Sequence, residues 1–321
     1  MASASEQPVL RPQRLADLLG RIEQNIHRVI VGKDQVVRLA TAGLVGGGHV
    51  LLQDLPGTGK TLLARALATS VGGTFRRIQC TPDLLPSDIT GASVFNQKDL
   101  SFEFIPGPVF ANVVLADEVN RATPRTQSAL LEAMGEGQVT VEGHTRTLER
   151  PFFVVATQNP VEFHGTYPLP ESQLDRFMLA AEMGPPAAAE AVEILARREH
   201  GDPISEIGAV VDVREVIELQ EACLRVVVAP AIRTYIVDFL EAVRTRAEVV
   251  LPASMRSGVY WQRAAQAWAL FDGRDFVLPD DVKLLAAPVL THRLGMRGRA
   301  KAVDVLNEVL ASVPLPPLRQ R

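Results

Sequence analysis

The stretch Asp54-Leu55-Pro56-Gly57-Thr58-Gly59-Lys60-Thr61 limits what this chain can fold into more than any other. It lies between an apolar run, His49-Val50-Leu51-Leu52, and the segment Leu62-Leu63-Ala64-Arg65-Ala66-Leu67-Ala68. The run reads as a buried strand. Leu63, Ala66, Leu67 and Ser70 fall at helical spacing, so a helix follows the loop. A glycine-bearing turn between strand and helix aims several backbone N–H groups at one point, beside the positive end of the helix dipole. That point suits a polyphosphate, gripped by the loop and helix start from Pro56 and Gly57 through Thr58 and Gly59 to Leu62. Lys60 is set to reach the β- and γ-phosphates, and the Thr61 hydroxyl to ligate Mg²⁺. The usual form of this pattern opens with glycine, and here that position is Asp54. An acid at the loop's entrance is expected to weaken nucleotide affinity slightly.

Around this unit the chain alternates. Leu15, Leu18, Leu19, Ile22 and Ile26 mark one amphipathic helix, and a second runs through Val36, Val37 and Leu39 to the strand. Further buried strands are expected at 75–79, 113–116 and 152–156, with helices between them. Short apolar strands alternating with helices indicate a parallel sheet covered on both faces, an α/β fold. Ligands in such sheets gather at the carboxyl ends of the strands. Residues 93–104 and 138–148 interrupt the alternation and read as hairpins, the second turning at Glu142-Gly143. After Met183-Gly184-Pro185-Pro186 the strand signal largely stops. Residues 187–199, 213–224, 231–247, 257–271, 280–290 and 301–312 read as helices, with Pro230 and Pro279 at helix starts. The expected organisation is therefore a tail at 1–11, an α/β core at 12–183, a helical domain at 184–315 and a Pro-rich tail at 316–321.

Composition narrows the class. With 321 residues the chain can bury two cores, and 33 basic against 37 acidic residues leave a net charge of -4. A whole-molecule basic footprint for nucleic acid is absent. Cys80 and Cys223 are the only cysteines, too few for a disulfide framework, so a reducing cytosol is the expected setting. The first eight residues lack the basic start and apolar core of a signal peptide. The longest uncharged run, 39–53, is too short to span a bilayer, so no membrane insertion is expected.

The chemistry collects at strand ends. Asp117-Glu118 follows the apolar run 113–116. In that position Asp117 would hold Mg²⁺, mostly through water, and Glu118 would polarise an attacking water. Thr157-Gln158-Asn159 ends the next strand, where a neutral amide can hold that water. The turn Val31-Gly32 has two readings: a contact for adenine, as in many P-loop ATPases, or an ordinary helix–helix turn.

In order, residues 54–61, Asp117-Glu118-Val119-Asn120-Arg121-Ala122, Thr157-Gln158-Asn159-Pro160 and Leu174-Asp175-Arg176-Phe177 resemble the AAA+ ATPases. Residues 117–132 and 165–177 are particularly similar to signatures of the MoxR family, and the resemblance extends from about Leu15 to about Leu310. It implies an α/β P-loop core with a helical lid, ATP and Mg²⁺ as ligands, and a homo-oligomeric ring, usually a hexamer, with nucleotide at subunit interfaces. It also implies that Asn159 is sensor 1, Arg256 sensor 2 and Arg176 the arginine finger. For Arg176 the residues alone also allow a salt bridge with Asp175 or Glu171, and for Arg256 a solvated helix position. Ser254-Met255-Arg256 has Met where the family often has Pro, which leaves the helix start there open. The two hairpins resemble the helix-2 insert and pre-sensor-1 hairpin of this branch. Phe95, Phe102 and Phe104 could grip a protein segment or simply pack the hairpin. The resemblance implies chaperone-like remodelling of protein clients carrying von Willebrand factor A domains. A nucleic-acid motor and a magnesium-chelatase-like subunit of the same branch are the alternatives.

Overall fold

The computed structural model describes residues 11–55, 57–159, 166–199 and 201–315. The expected tail at 316–321, and all but the last residue of that at 1–11, lie outside them.

Helix α1 (Pro12–His27) opens on proline, and α2 (Asp34–Val45) follows a tight turn. Strand β1 (Val50–Gln53) then feeds the glycine loop and α3 (Lys60–Ser70). After β2 (Phe75–Gln79) and the short α4 (Pro86–Thr90) comes a hairpin of β3 (Gly91–Asn96) and β4 (Ser101–Pro106). Strand β5 (Val113–Asp117) leads through a 3₁₀ turn to α5 (Pro124–Glu136) and a second hairpin, β6 (Gln138–Val141) and β7 (His144–Thr147). Strand β8 (Phe153–Gln158), α6 (Glu171–Leu174) and β9 (Leu179–Ala181) complete the α/β part.

The five-stranded sheet is parallel throughout, in the order β2-β5-β8-β1-β9. Its three central strands are apolar and buried almost end to end, as strands covered on both faces must be. Alternate side chains enter two interiors. Val50, Leu52, Val113, Leu115, Phe153 and Val155 face α1, α2 and α3, while Leu51, Val114, Ala116, Val154 and Ala156 face Leu130, Leu131 and Met134 of α5.

Two expectations about strands need correction. Phe75–Gln79 is the sheet's edge and not a buried strand: only Ile78 is buried, and Arg76, Arg77 and Gln79 are exposed. The fifth strand, β9, was not expected; three residues are too few to carry a periodicity, and its pairing Val50↔Leu179 is made only in the folded sheet.

Both expected hairpins form. In the second, Glu142 and Gly143 turn at φ +53° and +79°, the pair of positive angles a two-residue hairpin turn favours. Phe95 and Phe102 face each other across the first hairpin, ring centroids 5.3 Å apart, and both are exposed. Phe104 instead packs on Phe110 and lies beneath the Arg146 guanidinium, 3.7 Å from its ring centroid, so it joins the two hairpins to the body.

The rest is helical: α7 (Ala188–Arg198), α8 (Val213–Arg225), α9 (Pro230–Arg244), α10 (Met255–Phe271), α11 (Pro279–Leu290) and α12 (Ala302–Ser312). Pro230 and Pro279 occupy first helical positions, where a missing N–H is harmless. Met255 starts α10 with Ser254 before it, so proline is not needed there. A two-residue-deep ladder between β10 (Val249–Leu251) and β11 (Gly295–Met296), too short to signal itself, adds to the helices. Trp261 is fully buried, edge-on to Phe239 at 4.9 Å and donating to the Val282 carbonyl at 2.8 Å. The apolar interior around it is continuous with that of α1, α2 and α3. Among the described residues no helix is long and apolar enough to cross a membrane.

Candidate nucleotide site

The loop after β1 is shaped by two glycines at φ +84° (Gly57) and +94° (Gly59), angles that a side chain rarely permits. Lys60 is the first residue of α3, and Leu63 is the first whose N–H bonds back, to the Gly59 carbonyl at 2.9 Å. The amides of Gly59, Lys60, Thr61 and Leu62 therefore have no helical acceptor and converge on the loop's mouth. The Lys60 ammonium is buried and turned inward, donating to the carbonyls of Asp54 (3.0 Å) and Leu55 (2.6 Å). Phosphate oxygens would offer it the same kind of acceptor. Thr61 is half-buried beside it, and Pro56 lies outside the described residues.

Asp54 does not present its charge to this mouth. Its Oδ1 accepts from the Leu55 N–H at 2.8 Å and its Oδ2 from the Gly184 N–H at 2.6 Å. Both of its carboxylate oxygens are thus met by backbone N–H donors.

Strand register brings the remaining groups together. Gln53 pairs with Gln158, and Ala116 with Ala156, so Asp117, Thr157 and the loop emerge together at the carboxyl end of the sheet's strands. Asp117 is held on both sides: Thr157 Oγ1 donates to its Oδ1 at 2.7 Å, while Arg77 donates to its Oδ2 through Nη2 (2.5 Å) and Nε (3.2 Å). Glu118 has left-handed backbone, φ +55°, fixed by its N–H on Thr157 Oγ1 at 2.8 Å. Its Oε2 accepts from Arg121 at 3.0 Å and from Gln79 at 3.4 Å. Asn159, at the end of β8, is buried, and its carbonyl accepts from Asn120 at 3.4 Å. Arg77, Gln79, Arg121 and Thr157 were not singled out from sequence; Thr157 and Arg121 lay inside recognised motifs, while Arg77 and Gln79 reach the site only because the edge strand runs beside β5.

Beside the loop lies a cleft. Val29, Ile30 and Val31 form one wall and Gly57, Thr58 and Gly59 another. The third is built from Met183, Pro186 and Ile194, none of which the sequence marked as part of a site. The turn after α1 thus does more than join two helices: it brings Val31 to the glycine loop. Gly32 follows at φ +62°, a backbone conformation that side chains rarely adopt, with the Glu190 carboxylate against it.

Arg176 and Arg256 lie elsewhere. The Arg176 guanidinium rests on α5, donating to the Leu131 carbonyl and closing over Gly135. Its expected alternative, an ion pair with Asp175 or Glu171, is not made; Asp175 is taken by Arg293 Nε (3.1 Å), Ser254 (2.9 Å) and Ser257 (3.3 Å). Arg293 is itself buried, and burial pushes its guanidinium down to about 10 against the pull of Asp175. Arg256 sits at the second position of α10, exposed, with no hydrogen bond or ion pair among the described residues. Neither arginine lines this chain's own cleft.

A strand–glycine-loop–helix at the carboxyl end of a parallel sheet, with an acidic pair two strands away, defines a nucleotide-binding core, here followed by a helical lid. Residues 49–179 match the profile of the ATPase family associated with various cellular activities (AAA), and residues 241–309 that of an AAA lid domain. The uncharacterised protein YeaC of Bacillus subtilis is 48% identical over 307 residues, covering 94% of this chain and 96% of its own. Chaperone MoxR1 of Mycobacterium tuberculosis is 41% identical over 305 residues, 91% of this chain and 80% of its own. A crystal structure of a candidate ATPase from Cytophaga hutchinsonii superposes with a TM-score of 0.89 at 34% identity, over 96% of this chain and 97% of that one. The chain belongs to the MoxR family of AAA ATPases.

Proposed function

We propose that this protein hydrolyses ATP with Mg²⁺ between neighbouring copies of itself in a ring, a hexamer by family resemblance, and uses the cycle to remodel protein clients. The observation that carries the reading is the arrangement of Lys60, Asp117, Glu118, Thr157 and Asn159 at the carboxyl end of the sheet's strands, with Arg176 turned away from its own cleft. The donor set suits a hard cation. The Thr61 hydroxyl and the Asp117 carboxylate are oxygen ligands, and Mg²⁺ would take them with waters and phosphate oxygens. When bound it would neutralise charge on the transferred phosphoryl group. Lys60 would exchange loop carbonyls for β- and γ-phosphate oxygens. Glu118, released from Arg121, would polarise a water held by Asn159. Arg176 of one copy would serve the next, and Arg256 would report from a lid that begins after residue 183. Two buried, unpaired cysteines accord with a cytoplasmic setting.

The chaperone-like role rests on similarity to a protein named a chaperone, and the von Willebrand factor A domain clients on the family resemblance alone. Turnover by Lys60→Ala and Glu118→Gln tests the chemistry. Both should lose hydrolysis, and only Glu118→Gln should retain tight ATP; wild-type turnover in both would sink the mechanism. Capture with Glu118→Gln in ATP should retain a von Willebrand factor A domain protein, and retention of nucleic acid instead would redirect the assignment to a motor.

A further inference from the structure

Asp54 occupies the position where this loop ordinarily has glycine, and every polar group on it is used. It is 8% exposed. Its N–H donates to the Gln158 carbonyl at 3.0 Å, tying the loop's entrance to the end of β8. Its carbonyl accepts from Lys60, one carboxylate oxygen from Leu55, and the other crosses to the Gly184 N–H at 2.6 Å. Gly184 stands at φ +64° between Met183 and Pro186, both of which wall the nucleotide cleft. The same short linker is held a second time: Lys33 Nζ donates to the Pro185 carbonyl at 2.9 Å and lies 3.6 Å from Glu190. The wall that Met183 and Pro186 form therefore has two fastenings to the core, Asp54 and Lys33. Within the loop the Asp54 carboxylate holds only the Leu55 N–H at the entrance.

We propose that Asp54 is a positioning residue that holds the 183–186 linker as a wall of the nucleotide cleft, so that it serves the base and ribose end of the ligand and not the phosphates. This rests on the nucleotide reading above. It predicts an asymmetry that a charge effect at the loop cannot produce. Removing the carboxylate frees the wall and the Leu55 N–H, but keeps the backbone carbonyl that holds Lys60 and the amides at the start of α3, and glycine at this position is what such loops normally carry. A repelling acid, once removed, would instead tighten every polyphosphate alike.

The test compares binding of ATP and of inorganic triphosphate to the full-length wild type, Asp54→Gly and Asp54→Asn, by calorimetry. Asp54→Gly should bind ATP about tenfold more weakly, the worth of one charged hydrogen bond, and triphosphate as the wild type does. Asp54→Asn keeps one oxygen for the Gly184 N–H and should fall between. Lys33→Met loosens the linker from its other side and also removes an ammonium that lines the cleft, so it should weaken ATP more than triphosphate, and the outcome does not hang on one variant folding. ATP binding by Asp54→Gly that equals or exceeds wild type overturns the proposal, as does a parallel loss of both ligands in the folded variants. Wild type that binds neither ligand would bring down the nucleotide reading itself, and the proposal with it.

Discussion

At the scale of single residues, the hydroxyl of Thr157 governs both acidic groups. It donates to Asp117 at 2.7 Å and accepts from the Glu118 amide at 2.8 Å, so its one proton and one lone pair set the carboxylate of one residue and the left-handed backbone of the next. Such a backbone costs a glutamate energy and persists only where its surroundings enforce it. Thr157→Val is isosteric but has neither bond. It should cut turnover on the order of tenfold or more, because small misplacements of a reacting group are expensive, while ATP affinity stays near wild type. Thr157→Ser should recover most of the rate. Steady-state kinetics beside nucleotide binding decide it; equal rates in the valine and serine variants would remove Thr157 from the account. The sequence showed Thr157 as part of a strand-end motif. It could not show that the hydroxyl points back to β5, because that depends on the register of two strands 40 residues apart in the chain.

Elements are joined by buried polar groups that periodicity does not reveal. His49 precedes β1, yet its ring spans the sheet: Nε2 meets the Met134 carbonyl of α5 at 3.0 Å and Nδ1 accepts from the Val154 amide of β8 at 3.0 Å. His292 similarly meets the Phe177 carbonyl. Burial, the largest cause for each, holds His49 down to about 4 and His292 down to about 3, from 6.5. The unfolded chain takes up these protons below about 6.5, while the folded chain resists until about 4 or 3. The stability they confer is whole above 6.5 and declines as pH falls from there toward 4, by about 1.4 kcal/mol per pH unit for each histidine. Urea midpoints should drop across that window, and His49→Gln should shallow the slope by one histidine's share. A midpoint that does not move would contradict neutral, buried rings. Element types were otherwise legible where the apolar pattern is long: the α1 helix buries Leu15, Leu18, Leu19, Ile22 and Ile26, the five positions its spacing singles out. What escaped was short or at an edge, as with β9, or, like Arg77 on β2, took its role from a neighbour.

For the whole molecule, the sequence pattern carried the α/β core, the hairpins and the helical lid, because each repeats a local signal over many residues. It did not show that lid helices and α1 to α3 share one interior, which no local signal encodes. Nor did it show the direction of Arg176. That arginine lies on α5 without an ion pair among the described residues, outside the cleft that holds Lys60's loop. If Arg176 is the finger we propose, its direction assigns it to a neighbouring copy, and such fingers contribute on the order of 10³ or more in rate.

The most direct measurement mixes two inactive proteins, Lys60→Ala, which keeps Arg176, and Arg176→Ala, which keeps Lys60. If each site is built by two copies, random co-assembly leaves about a quarter of the interfaces whole, and the mixture should turn over ATP at up to that fraction of the wild-type rate. A mixture as inactive as its parts, under conditions where the two are shown to co-assemble, would contradict a site shared between copies.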